Sequence, residues 1–311
     1  MLSMSNARIV VVGSSNTDMV VKSRRIPRGG ETLLGSDFIM VPGGKGANQA
    51  VCAAKLGAQV ALVARIGNDL FGESSLANFR QAGVNTQYVT RDSNAPSGIA
   101  LITVDEKAEN AIVVAPGANY ELSPEDVDNA AQEIKQARML ILQLEIPPQT
   151  VAHAIEVAHN AGVRVTLNPA PIRPLARDIL KMVDVLTPNQ HEAAELTGRA
   201  GEGSELDAPS AAKELMAMGP GSVVITLGNR GAYVTDGYIN EFIEPIIVKP
   251  VDTTAAGDAF TAALSCALAE GMNLSDAARF ANRVAAIVVT RLGAQISMPA
   301  RSEVDSFSFG N

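Results

Sequence analysis

Short β-branched runs alternate with longer helical segments along most of this chain, and that alternation constrains the fold more than any other feature. "RIVVVG" (8–13) is an apolar run of strand length, and "GANQAVCAAKLG" (46–57) is helical and closes on glycine. "QVALVARIG" (59–67) is strand-like again, and 70–82 is helical. Further on, "ARMLILQLE", "VRVTLNPA", "VDVLTPN" and "SVVITLG" read as short apolar strands, each separated by a helical segment. Strands that are apolar throughout belong in a sheet covered on both faces, and strand–helix–strand order makes that sheet parallel. The expected fold is therefore α/β, a three-layer α/β/α sandwich around a parallel sheet. Ligands of such sheets bind beyond the carboxyl ends of the strands. The polar residues placed there are Glu145, Asn168, Asn189 and Gly228.

Two segments break the alternation. Residues 16–44 are extended, with Pro and Gly but no helix, and "SGIALITVDEKAENAIVVAPG" (97–117) reads as a β-hairpin with a polar turn. Strands without helices in an α/β chain imply a small second sheet, read here as a flap over the strand ends whose exposed face needs a partner or ligand to cover it. The 311 residues are 47% hydrophobic, ample for a buried core, and the formal net charge is −8 with no Lys/Arg run. Nucleic acid and anionic membrane are therefore not expected partners. Cys52 and Cys266 both fall in apolar helical patterns and read as buried thiols of a reducing compartment. His153, His159 and His191 lack zinc-site spacing. "MLSMSNARIVVVG" has no charged region followed by a long apolar run, and no apolar stretch reaches membrane-spanning length, so a cytoplasmic protein is expected.

Four local patterns carry chemistry. "VPGGKGANQAV" (41–51) fails as a Walker A loop, because Ile39 stands where the first Gly belongs and Gly46 where Ser or Thr does. It reads either as a tight turn for helix packing or as a glycine-lined ligand loop with Lys45 and Asn48 as its polar groups. Asn16 and Asp18 follow the first strand and suit sugar hydroxyls, or an Asx-turn. In "TPNQHEAAELTG" (187–198), Asn189 and Glu192 share one face of a starting helix. That pair suits hydrated Mg²⁺, or a capping box. In "VDTTAAGD" (251–258), Asp258 precedes a helical run from Ala259, with Asp252 six residues upstream. Asp258 reads as an N-cap. Alternatively, Ala255, Ala256 and Gly257 leave backbone N–H groups uncovered for an anion, and Asp258 beside them is a general base.

Asn16 and Asp18, "GGKGAN" (43–48), "LNPAP" (167–171), "TPNQHE" (187–192), "TLGNRG" (226–231) and "DTTAAGD" (252–258) together resemble the ribokinase family of carbohydrate kinases, from about Arg8 to Met298. The resemblance implies one ribokinase-like catalytic domain over 1–311, with a small β-sheet lid built from about 16–44 and 97–117. It implies ATP-dependent transfer of the γ-phosphoryl group to the 5-hydroxyl of D-ribose, with Mg²⁺ as phosphate partner and K⁺ as activator. Asp258 then matches the catalytic base, and Ala255, Ala256 and Gly257 the anion hole. The sugar side maps to Asn16, Asp18, Gly44, Lys45, Asn48 and Glu145, with Ala100 and Ile112 as apolar lid contacts. The nucleotide side maps to Asn189, Thr226, Gly228, Gly231, Gly257 and Asn282. Glu192 matches the glutamate that organises Mg²⁺ through water. Asp252, carbonyls of Thr254, Val288, Arg291 and Gly293, and the Ser297 hydroxyl match a K⁺ cage. A homodimer clasped through the lid is implied as well.

The chain departs from the family pattern at Asn229, where serine is frequent, and at Asn282, where some members carry histidine. It departs again at Gln190 and His191 within "TPNQHE". Two rival readings are a sister kinase for 2-deoxyribose or another small sugar, and a non-catalytic sugar or nucleotide sensor on the same fold.

Overall fold

The run Arg8–Val12 forms strand β1, and its side chains alternate between two apolar cores: Ile9 and Val11 face one, Val10 and Val12 the other. A strand buried on both faces must sit mid-sheet between two helical layers. The computed structural model describes residues 7–107, 109–199 and 205–308. After β1 come β2 (Asn16–Lys22), β3 (Phe38–Gly43), α1 (Lys45–Lys55), β4 (Gln59–Gly67), α2 (Leu70–Gln81), β5 (Val89–Asp92), β6 (Gly98–Val104) and β7 (Asn110–Ala115). The middle of the chain holds α3 (Pro124–Asn129), α4 (Ala131–Gln136), β8 (Met139–Leu142), α5 (Pro148–Asn160), β9 (Arg164–Leu167), α6 (Arg177–Leu180) and β10 (Val185–Leu186). It ends with α7 (Gln190–Leu196), α8 (Ala208–Met216), β11 (Val223–Thr226), β12 (Ala232–Thr235), β13 (Asn240–Ile243), α9 (Ala256–Ala269), α10 (Leu274–Val288) and α11 (Arg301–Ser306).

Among the described residues the main sheet has the order β13-β12-β11-β10-β9-β8-β1-β4-β5. On one face α1, α9 and α10 pack through small residues such as Ala50, Ala53, Ala263 and Ala281. On the other, α3, α4, α5 and α8 cover Val10, Leu140, Val165 and Ile225. The three-layer expectation holds, with one correction. Helices do not separate every strand, because β12 and β13 run antiparallel at one edge. Residues 227–231 link β11 to β12, and a connection that short only turns the chain back; a parallel crossover needs about a dozen residues or more.

The second sheet has the order β3-β2-β6-β7, and the 97–117 segment supplies its β6–β7 hairpin. It grows directly from the carboxyl end of β1, because only residues 13–15 separate β1 from β2. One face carries Asp18, Ala100 and Ile112; the other carries Met40, Leu101 and Val113. Residues 1–6 of the amino-terminal stretch, and residue 108 in the hairpin turn, lie outside the described residues. Among the described residues no helix is long and apolar enough to cross a membrane.

Candidate active site

The loop 252–255 and the start of α9 form the floor of the site. α9 begins at Ala256, three residues earlier than expected, so Asp258 lies inside the first turn and is not its N-cap. The cap position belongs to Ala255, which makes no side-chain capping bond and has φ 59°. Among the described residues it is the only non-glycine with positive φ. Holding alanine there costs about 1 kcal/mol, a strain that tertiary packing must offset. Gly257 is in the first turn, where backbone N–H groups have no intrahelical acceptor. A Cβ built on it meets nothing within 4 Å, so a ligand can approach its backbone. The expectation of three uncovered N–H groups needs one correction: Ala256 N–H donates to Thr253 O at 3.3 Å, a long turn bond.

Asp258 is 5% exposed. Its carboxylate accepts from Asn48 Nδ2 at 2.8 Å and Gln49 Nε2 at 3.2 Å, both on α1. Burial raises its pKa and Glu145 adds to the rise, against Lys45, Asn48 and Gln49, which favour the charged form. A buried carboxylate with a raised pKa beside a helix start is suited to taking a proton from a bound hydroxyl.

The glycine-rich segment serves as the tight turn for helix packing. A Cβ on Gly44 (φ 86°) would lie 2.6 Å from Asn16 N, and one on Gly46 would lie 2.5 Å from Ser14 N. Both glycines let α1 start against the end of β1. Gly43 instead leaves room for the Asp18 carboxylate, which a Cβ would meet at 2.2 Å. Glu145 Oε2 accepts from Ser14 Oγ at 2.5 Å and from Lys45 N at 3.0 Å. Asn16 Oδ1 accepts from Asn119 Nδ2 at 2.8 Å. Asp18 is pushed up to about 7, first by burial and then by Glu145 and Asp258, with Lys45 opposing. Burial disfavours the Lys45 ammonium, but Asp258, Glu145, Glu192 and Asp18 outweigh it, so that its pKa is raised. These couplings place Asp18, Lys45, Glu145 and Asp258 around one polar centre. Ala100 pairs with Asp18 across the small sheet and is buried. Ile112 lies on the edge strand, 52% exposed.

Beyond Asp258 the floor opens into two joined cavities that share Thr226, Thr253, Ala256 and Gly257. The smaller, about 210 Å³, also takes in Lys45, Asn189 and Glu192. The larger, about 530 Å³, runs past Gly228, Gly231 and Asn282 to an apolar wall that includes Ile246, Val248, Phe260 and Val289. A polar end joined to an apolar slot suits a phosphate-bearing base. Asn282 Nδ2 already donates to Glu244 O at 2.8 Å. Asn189 and Glu192 form a full capping box, so the plain reading of that pair holds. The Glu192 oxygens accept from Asn189 N and Nδ2, each at 2.8 Å. Such a carboxylate fits contact with a cation through water rather than directly.

Asp252 ties two loops together. Oδ1 accepts from Thr254 N at 2.9 Å and from Thr254 Oγ1 at 2.6 Å, while Oδ2 accepts from Gly293 N at 2.9 Å. Burial opposes its charge, yet these donors hold its pKa low and the group ionised. Ser297 Oγ donates to Ala294 O at 2.6 Å.

A family model for the pfkB family carbohydrate kinases matches residues 6–301. The chain belongs to that family. This carbohydrate kinase is 43% identical to a ribokinase of Bacillus subtilis, over 96% of this chain and 98% of the relative. It is 35% identical to a deoxyribokinase of Salmonella typhi, again over 96% and 98%. Its fold superposes with a TM-score of 0.87 on an Arabidopsis thaliana ribokinase complexed with ribose and ATP, at 32% identity over 98% of this chain and 100% of that one.

Sequence reasoning missed several groups of this kinase's site. Gln49, inside the 41–51 segment, and Gln143 and Gln295, outside any motif, are buried amides. Asn119, which holds Asn16, lies about a hundred residues away in sequence. The apolar cavity wall comes from 246–250, Phe260 of α9, and α10 with Val289 at its end, where ordinary core residues and wall residues look alike in sequence.

Proposed function

We propose that this chain is an ATP-dependent kinase that transfers the γ-phosphoryl group to the 5-hydroxyl of D-ribose, giving ribose 5-phosphate and ADP. One observation carries the mechanism: the buried Asp258 carboxylate sits at the start of α9, between the polar centre of Asp18, Lys45, Asn48 and Glu145 and the cavity floored by Gly257. Ribose occupies the polar centre, with Asn16, Asp18, Gly44, Lys45, Asn48 and Glu145 holding hydroxyls and Ala100 and Ile112 covering the ring from the lid. ATP occupies the joined cavities, with its base in the apolar slot past Asn282 and its phosphates toward Asn189, Thr226, Gly228, Gly231 and Gly257. Asp258 takes the proton of the 5-hydroxyl. That oxygen attacks the γ-phosphorus in line while the bond to the departing ADP oxygen breaks. The N–H groups of the Ala255–Gly257 turn stabilise charge on the transferring oxygens, assisted by the helix dipole. The lid excludes water from the transfer.

Mg²⁺ bound with the nucleotide would neutralise phosphate charge, and Glu192 would hold it through water. K⁺ would be held by Asp252, the carbonyls of Thr254, Val288, Arg291 and Gly293, and Ser297 Oγ. This all-oxygen donor set fits an alkali cation, and the Asp252 bridge already joins its two loops. The outer lid face leaves Phe38, Met40, Leu101 and Val113 between 50 and 68% exposed, which supports a homodimer clasped through the lid. Both cysteines are free and buried, in keeping with a reducing cytoplasm. The test is ADP release from purified protein with ATP and Mg²⁺, offering ribose, 2-deoxyribose, fructose and adenosine in turn. Ribose is expected to give the highest kcat/KM. A preference for 2-deoxyribose, the reading that the deoxyribokinase relative favours, would replace ribose as the substrate.

A further inference from the structure

Asn48 donates through Nδ2 to Asp258 Oδ2, the end of the amide that an ionised, acceptor-only carboxylate requires; what keeps the amide from turning over once that carboxyl has taken up a proton is a separate question. The answer lies one residue further out. Gln295, 3% exposed, donates from Nε2 to Asn48 Oδ1 at 3.1 Å and, at 3.4 Å, to Gly43 O. Its own Oε1 accepts from Asn78 Nδ2, on α2, at 2.5 Å. The donor–acceptor order therefore runs one way: Asn78 to Gln295, Gln295 to Asn48, Asn48 to Asp258. With Oδ1 of Asn48 occupied by a donor, only its NH₂ can meet the carboxylate. The backbone around Gln295 is anchored too, since Lys55 Nζ of α1 donates to Gln295 O at 3.0 Å and to Met298 O at 3.1 Å. We infer that Gln295, itself held by Asn78, is a positioning residue for the phosphoryl transfer: it fixes the orientation of the Asn48 amide and thereby the placement of the Asp258 carboxylate. A second amide chain, from Gln143 Nε2 to Gln49 Oε1 and from Gln49 Nε2 to Asp258 Oδ1, holds the other carboxylate oxygen independently of it.

This role rests on the reading of Asp258 as the base, so the test has one arm that needs turnover and one that does not. In the first, kcat and KM are followed against pH for wild type, Gln295→Leu and Gln295→Glu. The carboxylate introduced by Gln295→Glu cannot donate to Asn48 Oδ1 and competes with Asp258 for the Asn48 NH₂. Both variants are expected to lose about tenfold in kcat at neutral pH, with the acid limb of the kcat profile moved up by about one pH unit and the KM for ATP within about twofold. The other charged groups facing this centre, Lys45, Glu145, Asp18 and Glu192, and Lys55 beside Gln295, are unchanged in Gln295→Leu, which adds no charge, so the limb of that variant is the one that reports the relay. An unmoved limb, or equal losses at every pH, overturns the inference. In the second arm, urea midpoints are compared for Gln295→Leu, Asp258→Asn and the double variant. Gln295 and Asp258 share no direct bond, so a non-additive pair is expected only if Asn48 relays between them, and simple additivity overturns the inference. Asn78→Leu repeats both arms if Gln295→Leu does not fold. Absence of turnover by wild type on any sugar would count against the proposed reaction alone, with the midpoint cycle still deciding the relay.

Discussion

Replacing Asp18 by asparagine should make the free protein more stable and the enzyme inactive toward its sugar. Asp18 is held at a pKa of about 7 in the folded chain by burial and by the carboxylates of Glu145 and Asp258, against an ordinary value of 3.8. The folded state thus binds this proton more tightly than the unfolded state, and wild-type stability falls as pH rises from 3.8 to about 7. At about 1.36 kcal/mol per pH unit, the full gap is worth ~4 kcal/mol, a ceiling because Lys45 and solvent relax around the charge. Asparagine is neutral in both states and escapes the penalty. Urea unfolding of both proteins at intervals from pH 4 to pH 8.5 should give equal stabilities near pH 4. The variant should gain steadily above that, reaching an advantage of ~1–4 kcal/mol at pH 8. Ribose binding should be lost at every pH. A stability difference that is flat across this range, or one favouring wild type at pH 8, would refute the electrostatic reasoning.

Gly257→Val places its side chain in open cavity space, so the thermal midpoint should stay within about 2 °C while kcat falls by about 10²-fold or more through the lost oxyanion contact; a large drop in the midpoint would mean the site is structural. Exchanging Na⁺ for K⁺ should lower kcat, and K⁺ titration should raise the thermal midpoint of wild type but not of Asp252→Ala; an equal rise in both would remove Asp252 from the cation site. Leu101→Lys, on the outer lid face, should shift the protein from dimer to monomer in sedimentation while kcat/KM changes by less than about threefold. An unchanged sedimentation coefficient would place the dimer contact elsewhere or remove it.

Much of the main sheet is legible in the sequence because strands buried on both faces are apolar along their buried length, as at residues 9–12 and 60–64. The small sheet is legible from the absence of helix in 16–44 and the polar turn near 105–109. The antiparallel edge is not, because β12 is as short and buried as the parallel strands, β13 is half polar and gives little strand signal, and the tight turn between β11 and β12 looks like any strand-to-helix loop. At the site, Asp258 beside Gly257 carries a local signal, as do Asp18 shortly after the first strand and Asp252 six residues before Asp258. The start of α9 is hidden because Ala255 in a left-handed conformation has no sequence mark; glycine would be the usual residue there. The amides around Asp258 are invisible for a different reason. Gln49, Gln143, Gln295 and Asn78 come from separate segments, and only the fold brings their donors and acceptors together.

The most direct test of the central claim is Asp258→Asn, studied by rapid-quench phosphoryl transfer with saturating ribose and ATP and by calorimetric ribose binding on the same preparation. The account requires the transfer rate to fall by about 10²–10⁴-fold while ribose affinity changes by less than about fivefold, because asparagine keeps the size and loses the base. Transfer within about tenfold of wild type, or transfer and binding lost in equal measure, would contradict Asp258 as the group that takes the proton.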